Sequence, residues 1–290
     1  MNSHPRSKGT HLPLLTVLAA TIALTGCSVI ASSGSTTPST TPYIPTGLSG
    51  NWQIQSGTSL TPTPTPTSKT PVFLTGALQV QGSQVTGTFN TVALCTTQPV
   101  FNYTGTFDSS TGALTLATTP LANVVSLQLA VPTNPTTVAV GTIGIAGEIC
   151  ALVLGPGPAV GVEIASVTGT FAGTVTASSS ASPISSGTVS LTLAQSAAPN
   201  SSSQFPLAGT LTFTSGSCSN TTPVSGSISG LGLTLSSSST PVPGQDNVTL
   251  AGATNPTASQ LSATGIVFSP SLCSTPASSS TTFTGTLTRQ

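Results

Sequence analysis

The stretch that decides the fold is Leu207-Ala-Gly-Thr-Leu-Thr-Phe213, in which apolar side chains alternate with small or hydroxyl-bearing ones. Val189-Ser-Leu-Thr-Leu193 and Leu74-Thr-Gly-Ala-Leu-Gln-Val80 alternate in the same way. A period of two is that of a strand with one buried face and one wet face, and clusters of Gly, Pro, Ser and Asn separate these runs. We find no long helical pattern after the first 26 residues. The sequence therefore predicts an all-β protein, either an antiparallel sandwich or a barrel.

A five-residue motif recurs in these runs, with Gly between two Thr or Ser and a bulky apolar residue at each end. Its copies are Val85–Phe89, Tyr103–Phe107, Val167–Phe171, Val224–Ile228 and Phe283–Leu287. In a strand, the Gly and both bulky side chains share one face, and the hydroxyls share the other. We expect the hydroxyl face to be wet. The Gly leaves room for a facing side chain or for a sharp bend of the strand.

The cysteine spacing indicates an internal duplication. Cys95 and Cys150 are 55 residues apart, and so are Cys218 and Cys273. Short patterns recur in the same order, and we match three pairs: Leu74–Leu78 with Leu207–Leu211, Leu114–Leu116 with Leu233–Leu235, and Val167–Phe171 with Phe283–Leu287. The body therefore divides into two related halves, residues 48–170 and residues 171–290.

Four cysteines in an exported body imply disulfides, for which three connectivities exist. The matched spacing favours one bridge in each half, Cys95 with Cys150 and Cys218 with Cys273. A four-thiolate metal site is the alternative, but the sequence lacks the paired CxxC spacings of such sites. We therefore expect no bound metal.

Charge is scarce in this chain. Only 3% of its 290 residues are charged, with four Lys or Arg against four Asp or Glu, whereas Ser and Thr together number 99. An average soluble domain carries about 25% charged residues. This composition excludes a nucleic-acid surface built on Lys and Arg, and it excludes a disordered polyelectrolyte.

The N-terminus has the features of an export signal. Arg6 and Lys8 precede an apolar run, Leu14–Leu24, that is too short to span a membrane. Leu24-Thr25-Gly26-Cys27 follows this run and resembles the lipobox of bacterial lipoproteins. The resemblance implies that residues 1–26 are removed and that Cys27 carries acyl chains such as palmitate. An ordinary secretory signal with a chance Cys is the alternative.

A lipidated Cys27 would hold the protein on a membrane without crossing it, because more than one acyl chain gives stable anchoring. Residues 27–47 would then form a Ser-, Thr- and Pro-rich tether. The residue after the Cys is Ser28, and the resemblance to lipoproteins implies that an Asp there would retain the protein at an inner membrane. We therefore expect the outer membrane or the cell surface of a bacterium. The body, which opens Gly50-Asn51-Trp52, also resembles predicted lipoproteins of unknown function.

Most catalytic chemistry is missing from the mature chain. Both histidines, His4 and His11, lie in the signal, so Ser-His and Cys-His pairs and His-based metal sites are absent from the rest. The sequence has no GxSxG elbow, no GxxxxGK loop and no GxGxxG before a helix, so we expect no cofactor. The remaining candidates are the four acids: Asp108, Glu148, Glu163 and Asp246.

Two carboxylates would suffice for a glycan hydrolase, which needs one acid and one nucleophile or base. Glu148 and Glu163 form the pair to test. Asp108 and Asp246 lie in turn sequences, and Glu163 has a structural interpretation as the first residue of a long strand through Thr176.

Binding is the function class that the sequence favours. Trp52 is the only tryptophan and is the candidate ligand contact, although it also suits a core position in the first strand. The Thr-Gly-Thr strands resemble the Thr-rich faces of ice-binding proteins, and Thr also simply suits a wet strand face. We predict a non-enzymatic role in binding, adhesion or envelope structure, with a glycan or an envelope protein as partner. The alternative is a carboxylate-dependent glycan hydrolase.

Overall fold

The computed structural model describes residues 48–62, 67–68, 70, 72–93, 100–119, 124–134, 136–146, 154–180, 182, 184–237, 247–269 and 280–290. Within these ranges the chain consists of strands, turns and irregular segments and contains no helix. The predicted all-β class is therefore confirmed.

The strands form two closed antiparallel barrels of eight strands each. Barrel 1 consists of β1 (Gly50–Ser56), β2 (Val72–Gln81), β3 (Gln84–Ala93), β4 (Val100–Asp108), β5 (Ala113–Thr119), β6 (Val124–Ala130), β7 (Ala139–Ala146) and β8 (Leu154–Ile164). Barrel 2 consists of β9 (Gly169–Ala177), β10 (Ser186–Gln195), β11 (Phe205–Ser215), β12 (Cys218–Ser229), β13 (Gly232–Ser237), β14 (Asn247–Thr254), β15 (Gln260–Ser269) and β16 (Thr281–Arg289). In each barrel the last strand pairs with the first, so a barrel rather than a sandwich is formed.

Inward-facing side chains fill both barrels. The predicted alternation is regular in β10, where exposed and buried residues take turns along the strand. In barrel 2 three phenylalanine rings pack together with centroids 5.0 to 5.8 Å apart, those of Phe213, Phe268 and Phe283. In barrel 1 Phe89 meets Tyr103 edge to face at 5.4 Å. Close packing of this kind makes each core sensitive to small changes in volume.

Two glycines of the recurring motif, Gly105 and Gly226, lie where two strands approach too closely for a side chain. A Cβ atom on Gly105 would lie 1.8 Å from the carbonyl oxygen of Thr115, and one on Gly226 would lie 1.9 Å from that of Thr234. Both oxygens belong to the neighbouring strand. The glycines therefore permit the tight coiling that closes a small barrel.

The two barrels repeat each other strand by strand. Each first strand opens with a glycine followed two residues later by a buried aromatic residue, Trp52 in β1 and Phe171 in β9. Following the paired positions from these two residues places Gly105 and Gly226 at the same site of β4 and β12. The predicted match of Leu114–Leu116 with Leu233–Leu235 agrees with this correspondence, since they lie in β5 and β13.

The other two pattern matches are wrong. Leu74–Leu78 lies in the second strand of barrel 1, whereas Leu207–Leu211 lies in the third strand of barrel 2. Val167–Phe171 and Phe283–Leu287 belong to β9 and β16 and their approaches, which are neighbours in one barrel. The motif does not identify equivalent strands because it occurs in several strands of each barrel. The link between the barrels is 165–168, so the predicted boundary after residue 170 falls inside β9.

Three polar residues of β1 point away from the core of barrel 1 and are nevertheless buried. Asn51, Gln53 and Gln55 are each at most 1% exposed. The Asn51 amide donates to the carbonyl oxygen of Gly230 (2.9 Å) and accepts from its N–H (2.8 Å). The N–H of Leu231 donates to Gln53 at 3.1 Å. The turn between β12 and β13 of barrel 2 therefore covers Asn51 and Gln53, whereas Gln55 is covered by the residues that follow β1, since its amide donates to the carbonyl oxygen of Ser59.

One register row of barrel 1 carries the rest of this junction. Gln53, Thr75 and Asn90 lie side by side on β1, β2 and β3, and we call them the docking row. Besides the Leu231 bond to Gln53, the hydroxyl of Ser229 pairs with Thr75 at 2.9 Å, and the Asn90 amide donates to the carbonyl oxygen of Ser202. All three partners lie at the lower end of barrel 2.

By lower end we mean the end of a barrel at which its first strand begins and its last strand ends. In barrel 2 it carries the turns 196–204, 230–231 and 255–259, and it rests on barrel 1. In barrel 1 it carries the turns 82–83, 109–112 and 131–138. Residues 82–83 and 109–111 are exposed. In the order of the strands, the lower end of barrel 1 is therefore the counterpart of the surface by which barrel 2 contacts barrel 1.

Candidate functional site

Glu163 lies at the mouth of barrel 1, at its lower end. It sits directly opposite Trp52 across the β1–β8 seam and therefore points inward. A Cβ atom on Gly50 would lie 3.2 Å from its carboxylate oxygen. Within the part of the chain that the structure describes, this carboxylate has no hydrogen-bond or ion-pair partner. Partial burial raises its pKa to about 7, because the ionised form loses solvation.

The sequence interpretation of Glu163 needs correction. It is not the start of a strand through Thr176, because β8 ends at Ile164 and β9 begins at Gly169. Nor does it lie on a sheet edge, because β8 pairs with both β7 and β1 in the closed barrel. The side chain is half-buried in the barrel mouth.

Barrel 2 has a cation at the matching position. Arg289 lies opposite Phe171 as Glu163 lies opposite Trp52. Its guanidinium donates to the carbonyl oxygens of Ala258 (2.8 Å), Thr168 (2.9 Å) and Ser166 (2.6 Å) and lies 5.1 Å from the centre of the Phe171 ring. It joins the last strand of barrel 2 to the link and to the turn between β14 and β15. Among the residues that the structure describes, barrel 1 has no comparable set of hydrogen bonds at Glu163.

Glu163→Gln is expected to reduce the pH dependence of stability between pH 5 and pH 8. The carboxyl binds its proton more tightly in the folded state, where its pKa is about 7, than in the unfolded state, where it is 4.5. Its contribution is complete below pH 4.5 and is lost as the pH rises through 7. Solvent screening of a half-exposed group limits the loss to about 1 kcal/mol.

Urea unfolding at pH 5 and pH 8 measures this difference for the parent chain and for the Gln variant. Asp108→Asn is the matched control and should leave the difference unchanged, because the pKa of Asp108 lies below this window. An equal pH dependence in the parent and in Glu163→Gln would contradict the assignment.

The other acids do not form a catalytic pair with Glu163 in the described ranges. Asp108 ends β4 and caps the following turn, accepting hydrogen bonds from Ser110 and Thr111. The hydroxyl of Ser110 is the main cause that lowers the Asp108 pKa below its ordinary value. This confirms its predicted turn position. Glu148 and Asp246 lie outside the described residues.

Trp52, the candidate ligand contact, and Tyr103 both belong to the core. Trp52 is fully buried and donates its indole N–H to the carbonyl oxygen of Leu48 at 2.9 Å. It therefore belongs to the core of barrel 1 and offers no exposed face to a ligand. The prediction that Trp52 contacts a ligand is wrong, and its alternative core position is the one observed. Tyr103 is 1% exposed, and burial raises the pKa of its phenol.

The cysteine positions agree with the duplication in chain order. Cys95 falls between the third and fourth strands of barrel 1, and Cys150 between its seventh and eighth. Cys218 opens the fourth strand of barrel 2, and Cys273 falls between its seventh and eighth strands. Cys218 is disulfide-bonded. The other four cysteines of the chain, Cys27 included, lie outside the described residues, so the predicted pairing and the lipidation stay predictions.

A shallow groove lies on the outer wall of barrel 2, where β9, β10 and β11 run side by side. Its volume is about 430 Å³. Val189 and Gln290 line it together with small or hydroxyl-bearing residues, which are Ala172, Gly173, Thr174, Thr188, Ser190, Thr212 and Thr214. Hydroxyls on this wall pair across strands, as Thr212 does with Thr221 at 3.0 Å. The predicted hydroxyl face is therefore present. The groove results from the curvature of the barrel wall. The period-two pattern of the sequence does not predict that curvature.

Neither a metal cluster nor a spanning helix is found in the described ranges. No three His, Cys, Asp or Glu side chains come together there as a metal site would require. Among the same residues, no helix has the length and hydropathy needed to cross a bilayer.

No known protein family, curated protein or solved structure with which the chain was compared matches it.

Proposed function

We propose that the protein is a lipid-anchored envelope or cell-surface protein with a non-enzymatic role in binding, adhesion or structure. The observation that supports this best is the division of each barrel into a core filled by its own side chains and an outer wall of uncharged hydroxyls. A filled barrel leaves the outer wall and the loops as the contact surfaces. Such a wall suits an uncharged, hydroxyl-rich partner such as an envelope glycan.

The anchor in this proposal comes from the lipobox-like Leu24-Thr25-Gly26-Cys27. Acylated Cys27 and the Ser-, Thr- and Pro-rich tether would hold the barrels near the outer membrane or cell surface of a bacterium. Mass spectrometry of the purified mature chain tests this directly. A diacylated or triacylated N-terminal peptide beginning at Cys27 is expected, and an unmodified one would refute the anchor.

Binding is tested by presenting the full chain to arrays of glycans and envelope proteins. Saturable binding to one class of ligand is expected. If the groove on the outer wall of barrel 2 is the contact surface, Ser190→Arg should weaken this binding, because Ser190 lines that groove. Thr249→Arg is a matched control, because Thr249 is an exposed residue on β14, across the barrel from the groove. Turnover of a glycan would instead identify an enzyme.

A carboxylate-dependent glycan hydrolase is the second candidate, and Glu163 is the observation that favours it. Its pKa of about 7 is that of a general acid that stays protonated near neutral pH. The proposed partner carboxylate is Glu148. Hydrolysis that disappears in both Glu163→Gln and Glu148→Gln would support this candidate, and activity that survives the double substitution would exclude it.

We also propose one disulfide in each barrel, Cys95 with Cys150 and Cys218 with Cys273. The support is that both pairs fall at corresponding places in the order of the strands. Peptide mapping without reduction should recover these two linked pairs, and a peptide joining Cys95 to Cys218 would refute the scheme.

A further inference from the structure

Two hydroxyls inside barrel 1 are buried without a hydrogen-bond partner among the residues that the structure describes. They belong to Thr91 of β3 and Tyr103 of β4, which are 3% and 1% exposed. A buried hydroxyl has lost the water that it bonds to in the unfolded chain, so it is costly unless another group replaces that water. Native structures contain few such groups, and each calls for a partner.

The two hydroxyls lie beside each other on the inner face of the barrel. Burial raises the pKa of the Tyr103 phenol, and the Thr91 hydroxyl acts against this rise, which places it next to the phenol oxygen. The two oxygens nevertheless do not meet in the geometry of a hydrogen bond. Phe89, two residues before Thr91, meets the Tyr103 ring edge to face. A single small group between the two oxygens would therefore bond to both.

In barrel 2 the same place is filled by aromatic rings. Phe89 has the register position of Leu211 in barrel 2, so Thr91 has that of Phe213. The Phe213 ring packs against the ring of Phe283, with centroids 5.0 Å apart. Barrel 1 therefore has a hydroxyl where barrel 2 has the first of two packed phenyl rings.

The second of these rings is replaced by a hydrogen atom. Gly157 lies six residues before Glu163, just as Phe283 lies six residues before Arg289, and Glu163 and Arg289 hold matching positions. Apart from its chain neighbours, a Cβ on Gly157 would have one atom within 4 Å, the carbonyl oxygen of Gly155 at 3.9 Å. The inner face of β8 is thus open at this position.

Larger side chains elsewhere take up part of this space. Tyr103 stands where barrel 2 has Val224, and Val72 stands where it has Gly187. Barrel 1 has thus exchanged two phenyl rings for one phenol ring and one isopropyl group. The space that remains suits a molecule of the size of water, which occupies about 30 Å³ in the liquid.

We propose that Thr91 and Tyr103 hold a buried water molecule between their oxygens. Water both donates and accepts hydrogen bonds, so one molecule pairs with the phenol and with the Thr hydroxyl at once. Buried waters in proteins bond to polar groups that the chain itself leaves unpaired, as these two are. This site is independent of the anchor and of the outer wall, so the proposed function and the water site fail separately.

Thermal unfolding of the full chain and its variants tests the bridge. Thr91→Val and Tyr103→Phe each remove one partner of the water, and each is expected to lower the midpoint by about 2 to 4 °C. The double variant should lose less than the sum of the two single losses, because one removal already breaks the bridge. If the hydroxyls are unpaired instead, each single substitution raises the midpoint, which would overturn the inference.

Thr222→Val is the matched control. Thr222 is a Thr of barrel 2 that is also 3% exposed, and its hydroxyl donates directly to the Asn220 side chain at 2.9 Å. Its loss should lower the midpoint by a similar amount without releasing a water. Circular dichroism checks that each variant is folded.

Magnetic relaxation dispersion of ¹⁷O-labelled water counts the long-lived buried waters directly. The double variant should hold at least one fewer than the parent, and Thr222→Val should hold as many as the parent. Equal numbers in the parent and the double variant would overturn the inference, and they would show that the Thr91 and Tyr103 hydroxyls bond to each other without a bridge.

Discussion

Gly226→Ala is expected to cost about 3 kcal/mol and to lower the midpoint of thermal unfolding by about 6 to 12 °C. The new Cβ would lie 1.9 Å from the carbonyl oxygen of Thr234 and 2.9 Å from the Cα of Leu235. Both are backbone atoms of β13, so no side-chain rotation relieves the overlap. The two strands must move apart, which breaks hydrogen bonds in the wall of barrel 2. Calorimetry of the parent and the variant measures the change.

Gly232→Ala is the matched control for this prediction. Gly232 begins the neighbouring strand, and a Cβ there would have its nearest neighbours at 3.8 Å. We expect an unchanged or slightly higher midpoint, because Ala reduces the freedom of the unfolded chain. An equal loss in both variants would show that the steric explanation is wrong. Gly105 occupies the corresponding site of barrel 1 and should behave as Gly226 does.

Asn51→Ala is expected to destabilise the junction between the barrels by about 3 kcal/mol. The substitution removes two hydrogen bonds of 2.8 and 2.9 Å and leaves the N–H and the carbonyl oxygen of Gly230 buried without their partner. Each buried polar group left unpaired costs about 1 to 3 kcal/mol. Urea unfolding gives the free energy, and hydrogen exchange at the Gly230 amide reports the local opening.

The control for the junction is Asn102→Ala. Asn102 lies on the exposed face of β4, and its removal should change stability by no more than about 0.5 kcal/mol. Faster exchange at Gly230 is expected only in Asn51→Ala. An Asn51→Ala variant with the stability and exchange of the parent would mean that the barrels are held together without this amide.

The sequence predicts the strands well because their signal is local. Period-two alternation and turn residues need only a few neighbours, so the all-β class follows from runs such as Val189–Leu193. Closure is different. β1 pairs with β8 across more than a hundred residues. The outward-facing residues of these two strands would have the same sequence pattern in a sandwich as in a barrel. The choice between barrel and sandwich therefore had to come from three-dimensional structure.

The candidate site is harder to predict because it depends on contacts between distant elements. Asn51 and Gln53 alternate with Trp52 and Ile54 as wet residues would, yet they are buried because a turn about 180 residues later covers them. Glu163 carries no local signal of its inward orientation either. Its place in the mouth follows from the seam with β1, which no short motif specifies.

Closure also has a consequence for how the chain reaches its native state. Barrel 1 cannot close until Ile164 has been made and has met Asn51, so its first and last strands both stay open edges for most of synthesis. Barrel 2 has the same delay between Phe171 and Arg289. Pairings this distant in sequence make folding slow, and open strand edges attract other chains. The chain therefore depends on protection from aggregation until each seam has formed.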